Sequence, residues 1–501
     1  MSEIFFMGVI GIYLFVAGLL FVYGTNFFYM ALIAWRHRHT RVLAPPLTRV
    51  PRVTVQLPIY NELYVAERLI DAVARLDYPS DAFEIQVLDD STDETVEIAR
   101  RAVERQRARG IAIEHVRRNQ RVGFKAGALA HGLASATGEF IAIFDADFVP
   151  PPNFLKRVMP HFENARLAFV QTRWTHLNAD YSLLTFLQSL MIDAHFMIEQ
   201  FARWRAGYWF NFSGTAGVWR RAALEDAGGW SADTLAEDLD ASYRAFLRGW
   251  DALYLRDVET PAEIPVSFCA YRNQQHRWAR GSLECAIKLL PRVWRAPIPL
   301  GKKLQATLHL TGYGIHLLMF GLTLLYPILV TLPQNDALMR TLFGVAFIFN
   351  ITTFAPLIVS ALAQKHLGRD VARVLPAILF LTILGAGMML NTVRAALTIL
   401  IQKENVFERT PKFGIARRHE TWTHREYQLD LDPIVYAELG LAFFTTMSAL
   451  WALDANSWVI AFYSFLFSAG LVFSSATTIA QTIAVMRQRA RVAFLERRVI
   501  V

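Results

Sequence analysis

Apolar residues fall along this chain in two regimes. Long, nearly unbroken runs occupy 4–35, 304–332, 342–363, 375–401, 434–451 and 458–486. Each approaches or exceeds the roughly 20 residues a helix needs to cross a bilayer. Between 45 and about 300 the apolar runs are short and alternate with helical patterns. Strands are expected at 53–57, 84–88, 111–116, 140–144 and 168–171. Helices are expected from about Val65, after Asp93 to about Arg107, over 124–135 and over 238–248. Strand alternating with helix predicts a mostly parallel, doubly wound α/β sheet. Ligands bind such sheets at the carboxyl ends of strands. Three of those ends carry polar clusters: Tyr60-Asn61-Glu62, Asp89-Asp90 and Asp145-Ala146-Asp147.

Composition and charge assign the long runs. The chain has 501 residues, 54% of them hydrophobic, with a net charge of +8. The basic residues flank apolar segments rather than forming one surface, which fits membrane topology better than nucleic acid. The first run is too long for a signal-peptide core and is expected to remain as an anchor. Arg36, His37, Arg38, His39 and Arg41 follow it. Positive residues stay inside, so the N-terminus is expected outside and the next domain in the cytoplasm. If all five later runs crossed, the basic loop 403–424 and the tail with Arg487, Arg489, Arg491, Arg497 and Arg498 would lie outside. Dropping one crossing restores both. The run 375–401 contains Pro376, Gly385, Gly387, Asn391 and Arg394 and is the one expected to be interfacial or re-entrant, unless it passes twice. The expected layout is an anchor at 1–44, a cytoplasmic domain at 45–300, and a membrane region at 301–501. That region has four spans, an interfacial or re-entrant helix at 371–402 and a loop at 403–433, and the C-terminus lies inside. Residues 182–204 and 282–296 are amphipathic and expected in the headgroup layer. Cys269 and Cys285 have no metal-ligand spacing and read as free thiols in a reducing compartment.

The domain lacks both GxxxxGK[ST] and GxGxxG, so a nucleotide bound here needs its phosphates neutralised in another way. Carboxylates holding Mg²⁺ or Mn²⁺ would do so. Asp145 and Asp147 are spaced to point to one side of a strand end. Alone, such a triplet is more often a turn. It is joined downstream by Glu237-Asp238 and by Gln274-Gln275-His276-Arg277-Trp278.

Asp-Asp, Asp-x-Asp, Glu-Asp and Gln-x-x-Arg-Trp, in this order, resemble a membrane-bound family 2 glycosyltransferase of the cellulose synthase type, with the GT-A fold. The resemblance is closer to the plant cellulose-synthase-like A and C proteins, which make β-1,4-mannan and β-1,4-glucan backbones. Gln86–Asp93, Lys125–Leu129, Ile143–Phe148, Gly214–Gly217 and Gln274–Trp278 carry it. It implies an inverting transfer of a hexose from UDP-glucose or GDP-mannose to a β-linked glycan. Asp145 and Asp147 would hold the metal, and Arg277 would meet the phosphates. Lys125 and Glu237 would sit near the donor, with Asp90, Pro58, Tyr60 and Glu62 around its base. Asp238 would be the general base, with Trp278 stacking on the acceptor and Gln274 and His276 orienting the acceptor or the loop. Here Ala236 stands where relatives often have Thr. Phe407-Glu408-Arg409-Thr410-Pro411-Lys412 resembles a gating loop, with Phe407, Thr410 and Lys412 matching and Arg409 replacing the usual Val.

The expected partners are a nucleotide sugar, a glycan or lipid acceptor and the bilayer, without nucleic acid. The expected location is a bacterial inner membrane or a Golgi-type membrane. Transfer of one sugar to a membrane lipid is the rival enzyme reading. A transport component is the non-enzymatic one. No residue separates the two donors at this level.

Overall fold

The computed structural model describes residues 3–331, 350–401 and 409–499, together with Gly344 and Ile348. Phe407, part of the run at 342–363 and part of the loop at 403–433 lie outside the described residues. Seven strands form one sheet: β1 Val53–Ile59, β2 Phe83–Asp89, β3 Ile113–Val116, β4 Phe140–Ile143, β5 Leu167–His176, β6 Gly217–Arg220 and β7 Asp251–Ala262. Their order is β3-β2-β1-β4-β6-β5-β7. β1 runs parallel to β2 and β4, β2 to β3, and β5 to β7. β6 alone is antiparallel, inserted between β4 and β5. The expected mostly parallel sheet is present. Its central strands are covered on both faces: every residue of β4 is buried, and all but Pro58 in β1. That is why they read as continuous apolar runs rather than alternating ones.

The helices expected in the domain form as Ala66–Val73, Thr95–Arg107, Phe124–Ser135 and Glu237–Leu247. Phe124–Ser135 lies over the sheet without clashing because it is built from small residues; Gly132 brings its backbone onto Leu88, Gln56 and Gln86. Residues 182–204 differ from the expected headgroup helix. They fold as Leu183–Ala194, a π-helical turn His195–Gln200 and Phe201–Arg205. Leu184 and Leu187 pack on Phe268, Tyr271, Leu384 and Met388, and Ile198 is buried among the aromatics of the sheet. The stretch lies at the junction and, Leu183 apart, is largely covered by protein. The second amphipathic segment is the distal part of one 28-residue helix, Phe268–Arg295, on which Ile287 and Trp294 are exposed.

Among the described residues, four helices are long and apolar enough to cross a membrane: Met7–Arg36, Val371–Ile401, Ile434–Asp454 and Trp458–Arg491. Leu300–Leu310 and Gly314–Val330 make a fifth if taken as one span bent by 66°. Val371–Ile401 passes this test despite the polar residues that suggested an interfacial helix. Asn391 and Arg394 find partners inside the fold. Asn391 donates to the carbonyl of Arg272 at 3.0 Å and accepts from Arg394 at 2.8 Å, and Arg394 reaches both carboxylate oxygens of Asp432 at 2.9 Å.

Arg272, fully buried near the start of Phe268–Arg295, donates from Nη2 to both carboxylate oxygens of Glu438 of Ile434–Asp454 at 2.9 Å. Ser475 donates to the same carboxylate at 3.0 Å. Removing one partner of a buried pair strands the other charge. Glu438→Ala is therefore expected to cost about 3–5 kcal/mol, read as a lowered Tm in detergent. Arg272→Met combined with Glu438→Leu should recover most of it.

Candidate active site

β4 delivers its acids into a cleft at the carboxyl ends of the strands. The Asp145 backbone N–H donates to Thr215 Oγ1 at 2.9 Å, which ties the turn to the approach of β6. Asp145 and Asp147 both face the cleft. From β1 come Pro58, Tyr60 and Glu62, and from the end of β2 comes Asp90. Its neighbour Asp89 is buried and structural, accepting from Ser91 N and meeting His115 Nε2, each at 2.8 Å. Asp90 is held by the Arg118 fork at 2.7 and 2.6 Å.

Lys125 enters from the first turn of Phe124–Ser135, and Glu237 and Asp238 open the helix Glu237–Leu247. Gln274, Arg277 and Trp278 share one face of Phe268–Arg295, as positions three and four apart on a helix do. His276 is turned away from that face and does not line the cleft. It lies instead near Arg394, Arg280 and Asp432, and burial, reinforced by the two arginines, lowers it to about 4. The expectation that His276 orients the acceptor directly is corrected on this ground: the helix turns it off the face that carries Trp278. Thr410 and Lys412 close the cleft from the loop after residue 408.

The charges are arranged in pairs. Lys125 Nζ lies 2.7 Å from Asp145 Oδ1 and 3.5 Å from Glu237 Oε1, and donates to the Gly214 carbonyl at 3.0 Å. Burial opposes its charge, but Asp145, Glu237 and Asp238 outweigh burial and hold the ammonium above its ordinary pKa. Lys412 Nζ lies 2.7 Å from Asp147 Oδ2. Burial raises Asp145 above the usual carboxylate range, with Asp147 adding repulsion against the pull of Lys125. Burial, then Glu237, lifts Asp238 to about 7, against the pull of Lys125. Burial lowers Arg277, which faces Glu237, Asp145, Asp147 and Asp238 together. Gly214 adopts φ +78°, and a Cβ there would stand 3.1 Å from Asp238 Oδ2 and 3.2 Å from Lys125 Nζ. A side chain at that position would crowd the acid and the ammonium at once.

Asp145 and Asp147 fit a hard divalent cation. They present carboxylate oxygens with side chains 32% and 16% exposed. Among the described residues no group of three or more His, Cys, Asp or Glu makes a metal site. Two carboxylates completed by phosphate oxygens and water are what Mg²⁺ and similar ions take.

Arg121, Arg409, Trp174 and Ser213 are cleft residues without a role in the sequence reading. Arg121 lies over the Tyr60 ring, its guanidinium carbon 3.4 Å from the centroid. Arg409 meets Glu62 at 3.4 Å and lies 3.8 Å over the Tyr427 ring. Burial first raises Glu62 to about 8, while Arg409 pulls against it. Trp174 and Ser213 border both this cleft and a second cavity of about 440 Å³. Asp238, Gln274 and Trp278 line that cavity too, with Phe27, Phe196, Tyr271 and Tyr313 beyond them.

Residues 51–281 match the family described as Glycosyltransferase like family 2. The chain is 44% identical over 250 residues to glucomannan 4-beta-mannosyltransferase 2 of Arabidopsis thaliana, covering 49% of this chain and 47% of that protein. It is likewise 44% identical over 250 residues to glucomannan 4-beta-mannosyltransferase 1 of Oryza sativa subsp. japonica, covering 49% and 48%. The chain thus spans about half the length of these relatives. A mannosyltransferase from Pyrobaculum calidifontis, solved with GDP-Man and Mn²⁺, superposes with a TM-score of 0.51 at 23% identity. The superposition covers 79% of this chain and 100% of that one, a likeness of fold.

Proposed function

We propose that this chain, which carries a family 2 glycosyltransferase domain over residues 51–281, transfers a hexose from a nucleoside-diphosphate sugar to a growing β-linked glycan, with inversion. The likeness to plant glucomannan 4-beta-mannosyltransferases favours a mannosyl donor. The observation that carries the reading is the shared wall. Asp238, Gln274 and Trp278 border the charged cleft on one side and the aromatic cavity on the other. A donor in the first and an acceptor in the second would meet at Asp238, an acid raised to about 7.

The acceptor hydroxyl attacks C1 while Asp238 takes its proton. The C1–phosphate oxygen bond breaks, and the nucleoside diphosphate leaves from the opposite face. One displacement turns an α-linked donor into a β-linked product, with no carboxylate nucleophile. Arg277 and Lys125 face the leaving diphosphate, where negative charge grows. Asp145 and Asp147 would hold a divalent cation, which when bound supplies Lewis-acid charge to the same oxygens. Trp278 offers the acceptor an apolar ring face. The basic residues after the first helix support a cytoplasmic cleft. The second cavity runs from Trp278 toward Tyr23 and Phe27 of that helix, which supports passage of a polymer toward the membrane.

The test supplies membranes containing the chain with labelled GDP-mannose or UDP-glucose and Mn²⁺ or Mg²⁺. Product size and digestion by linkage-specific glycanases follow. Long products cut by a β-1,4-mannanase are expected with GDP-mannose. A lone sugar on extractable lipid would replace this reading with the glycolipid one, and no transfer from either donor would end it. Because Asp238 acts as a base only when ionised, kcat/KM should rise with pH up to about 7 and then level. Trp278→Ala should raise the acceptor KM far more than it changes donor affinity.

A further inference from the structure

A third cavity, of about 240 Å³, lies away from the cleft. Thr40 and Ala44 of the segment after the first helix form one side, and Lys156, Arg157, His161 and Arg256 form much of the rest. Arg256 Nη2 donates to the carbonyl of Arg38 at 2.8 Å, and its guanidinium lies 4.0 Å over the Phe201 ring. Those two contacts fix the planar group in place. Its Nη1 is buried and has no hydrogen-bond partner. Nearby His366 also has both ring nitrogens buried without a partner. Burial first, then Arg256, Arg38, Lys365 and His39, lowers His366 to about 4. His366 lowered this far is neutral, so the positive charge of this corner is that of Arg256, Arg157 and Lys156, offset in part by Asp257 beside Arg256. Asp77, the nearest acid to Lys156, is already paired with it at 2.5 Å. Asp257 is exposed, and it is the backbone carbonyl of Asp257 that Arg157 uses, at 2.9 Å.

A fixed guanidinium with an unused buried N–H, flanked by a second arginine and a lysine, suits a phosphate oxyanion. A phospholipid headgroup is one source of such a group at this place in the chain. Arg38 stands two residues beyond the end of the apolar helix Glu3–Arg36, so the cavity opens where that helix would leave the bilayer. Basic pockets at this level hold phospholipid headgroups.

We propose that this cavity is a binding site for a phosphate group, monoester or diester, with Arg256 as its main ligand and Arg157 and Lys156 at its mouth. It stands apart from the sugar-transfer reading, since none of these three residues lines the cleft.

The experiment uses the full purified chain in two arms. In the first, phosphatidylglycerol or phosphatidylcholine is added in detergent, and bound lipid is counted by native mass spectrometry. In the second, inorganic phosphate is titrated by calorimetry. The wild type is expected to bind phosphatidylglycerol or inorganic phosphate about tenfold or more tightly than Arg256→Gln. Arg157→Gln, an exposed change, should weaken binding less and serves if Arg256→Gln does not fold. Phosphatidylglycerol retained without phosphate binding identifies a lipid headgroup. Phosphate binding without lipid preference identifies a soluble phosphate compound. Equal binding by wild type and both variants in both arms, or binding of neither probe by the wild type, overturns the proposal.

Discussion

Asp238→Asn is expected to bind nucleotide normally and to lose about 10²–10⁴-fold in kcat. The substitution keeps the shape of the side chain and removes only its ability to take a proton. Space for it is already present, because Gly214 leaves the carboxylate room that any Cβ would fill. Asn is also tolerated in the first turn of Glu237–Leu247, where Asp238 now accepts from the Leu239 N–H at 2.8 Å. Lys125 keeps Asp145 and Glu237, so the donor side of the cleft keeps its charge balance. The loss should therefore appear in turnover and leave the nucleotide Kd unchanged, and the acid limb of the pH profile should vanish with it. A variant that retains both the rate and the limb would show that another group takes the proton.

Asp147→Ala is expected to lower kcat/KM by about 10²–10³-fold, the usual effect of removing one preorganised charge-stabilising element. It should also abolish the increase in nucleotide affinity produced by Mn²⁺. The mutation has a second effect that distinguishes it from Asp145→Ala. It frees Lys412, whose ammonium lies 2.7 Å from Asp147 and is also bonded to the Glu263 carbonyl. A lysine released from its acid can turn to the diphosphate, so metal-independent nucleotide binding should survive better in Asp147→Ala than in Asp147→Ala combined with Lys412→Met. Titration calorimetry with nucleotide diphosphate, with and without Mn²⁺, measures both effects. Normal transfer by Asp147→Ala would remove the phosphate-neutralising role from this strand end.

Five strands were legible because apolar runs between polar turns have a simple cause: buried strands show it on both faces. β6 and β7 were not. Gly217–Arg220 is four residues long and ends in arginine, too short to carry a period. Asp251–Ala262 carries Asp251, Arg256, Asp257 and Glu259 in one strand, and its irregular pairing with β5 breaks the alternation. The cleft residues were legible wherever a motif held them. Arg118 and Arg121 were not, because in a sequence two arginines in a polar loop look like solvated surface. Their partners, Asp90 and the Tyr60 ring, are about thirty and sixty residues away. His276 was misassigned for the opposite reason. Adjacency in a motif suggested adjacency in space, and a helix denies that to neighbours in sequence. The partners of Asn391 and Arg394, Arg272 and Asp432, were likewise not legible in the sequence.

The helix Phe268–Arg295 behaves as a rigid shaft gripped at one end and carrying its tool a turn and a half further on. The grip is Arg272 clamped onto Glu438, and the tool is Arg277 with Trp278. Each residue added or removed between them would rotate the tool by about 100° about the axis. Twisting of Ile434–Asp454 at this grip would turn Arg277 and Trp278 within the cleft. The spacing from 272 to 278 therefore sets the angular register between the helix that bears Glu438 and the residues that line the cleft.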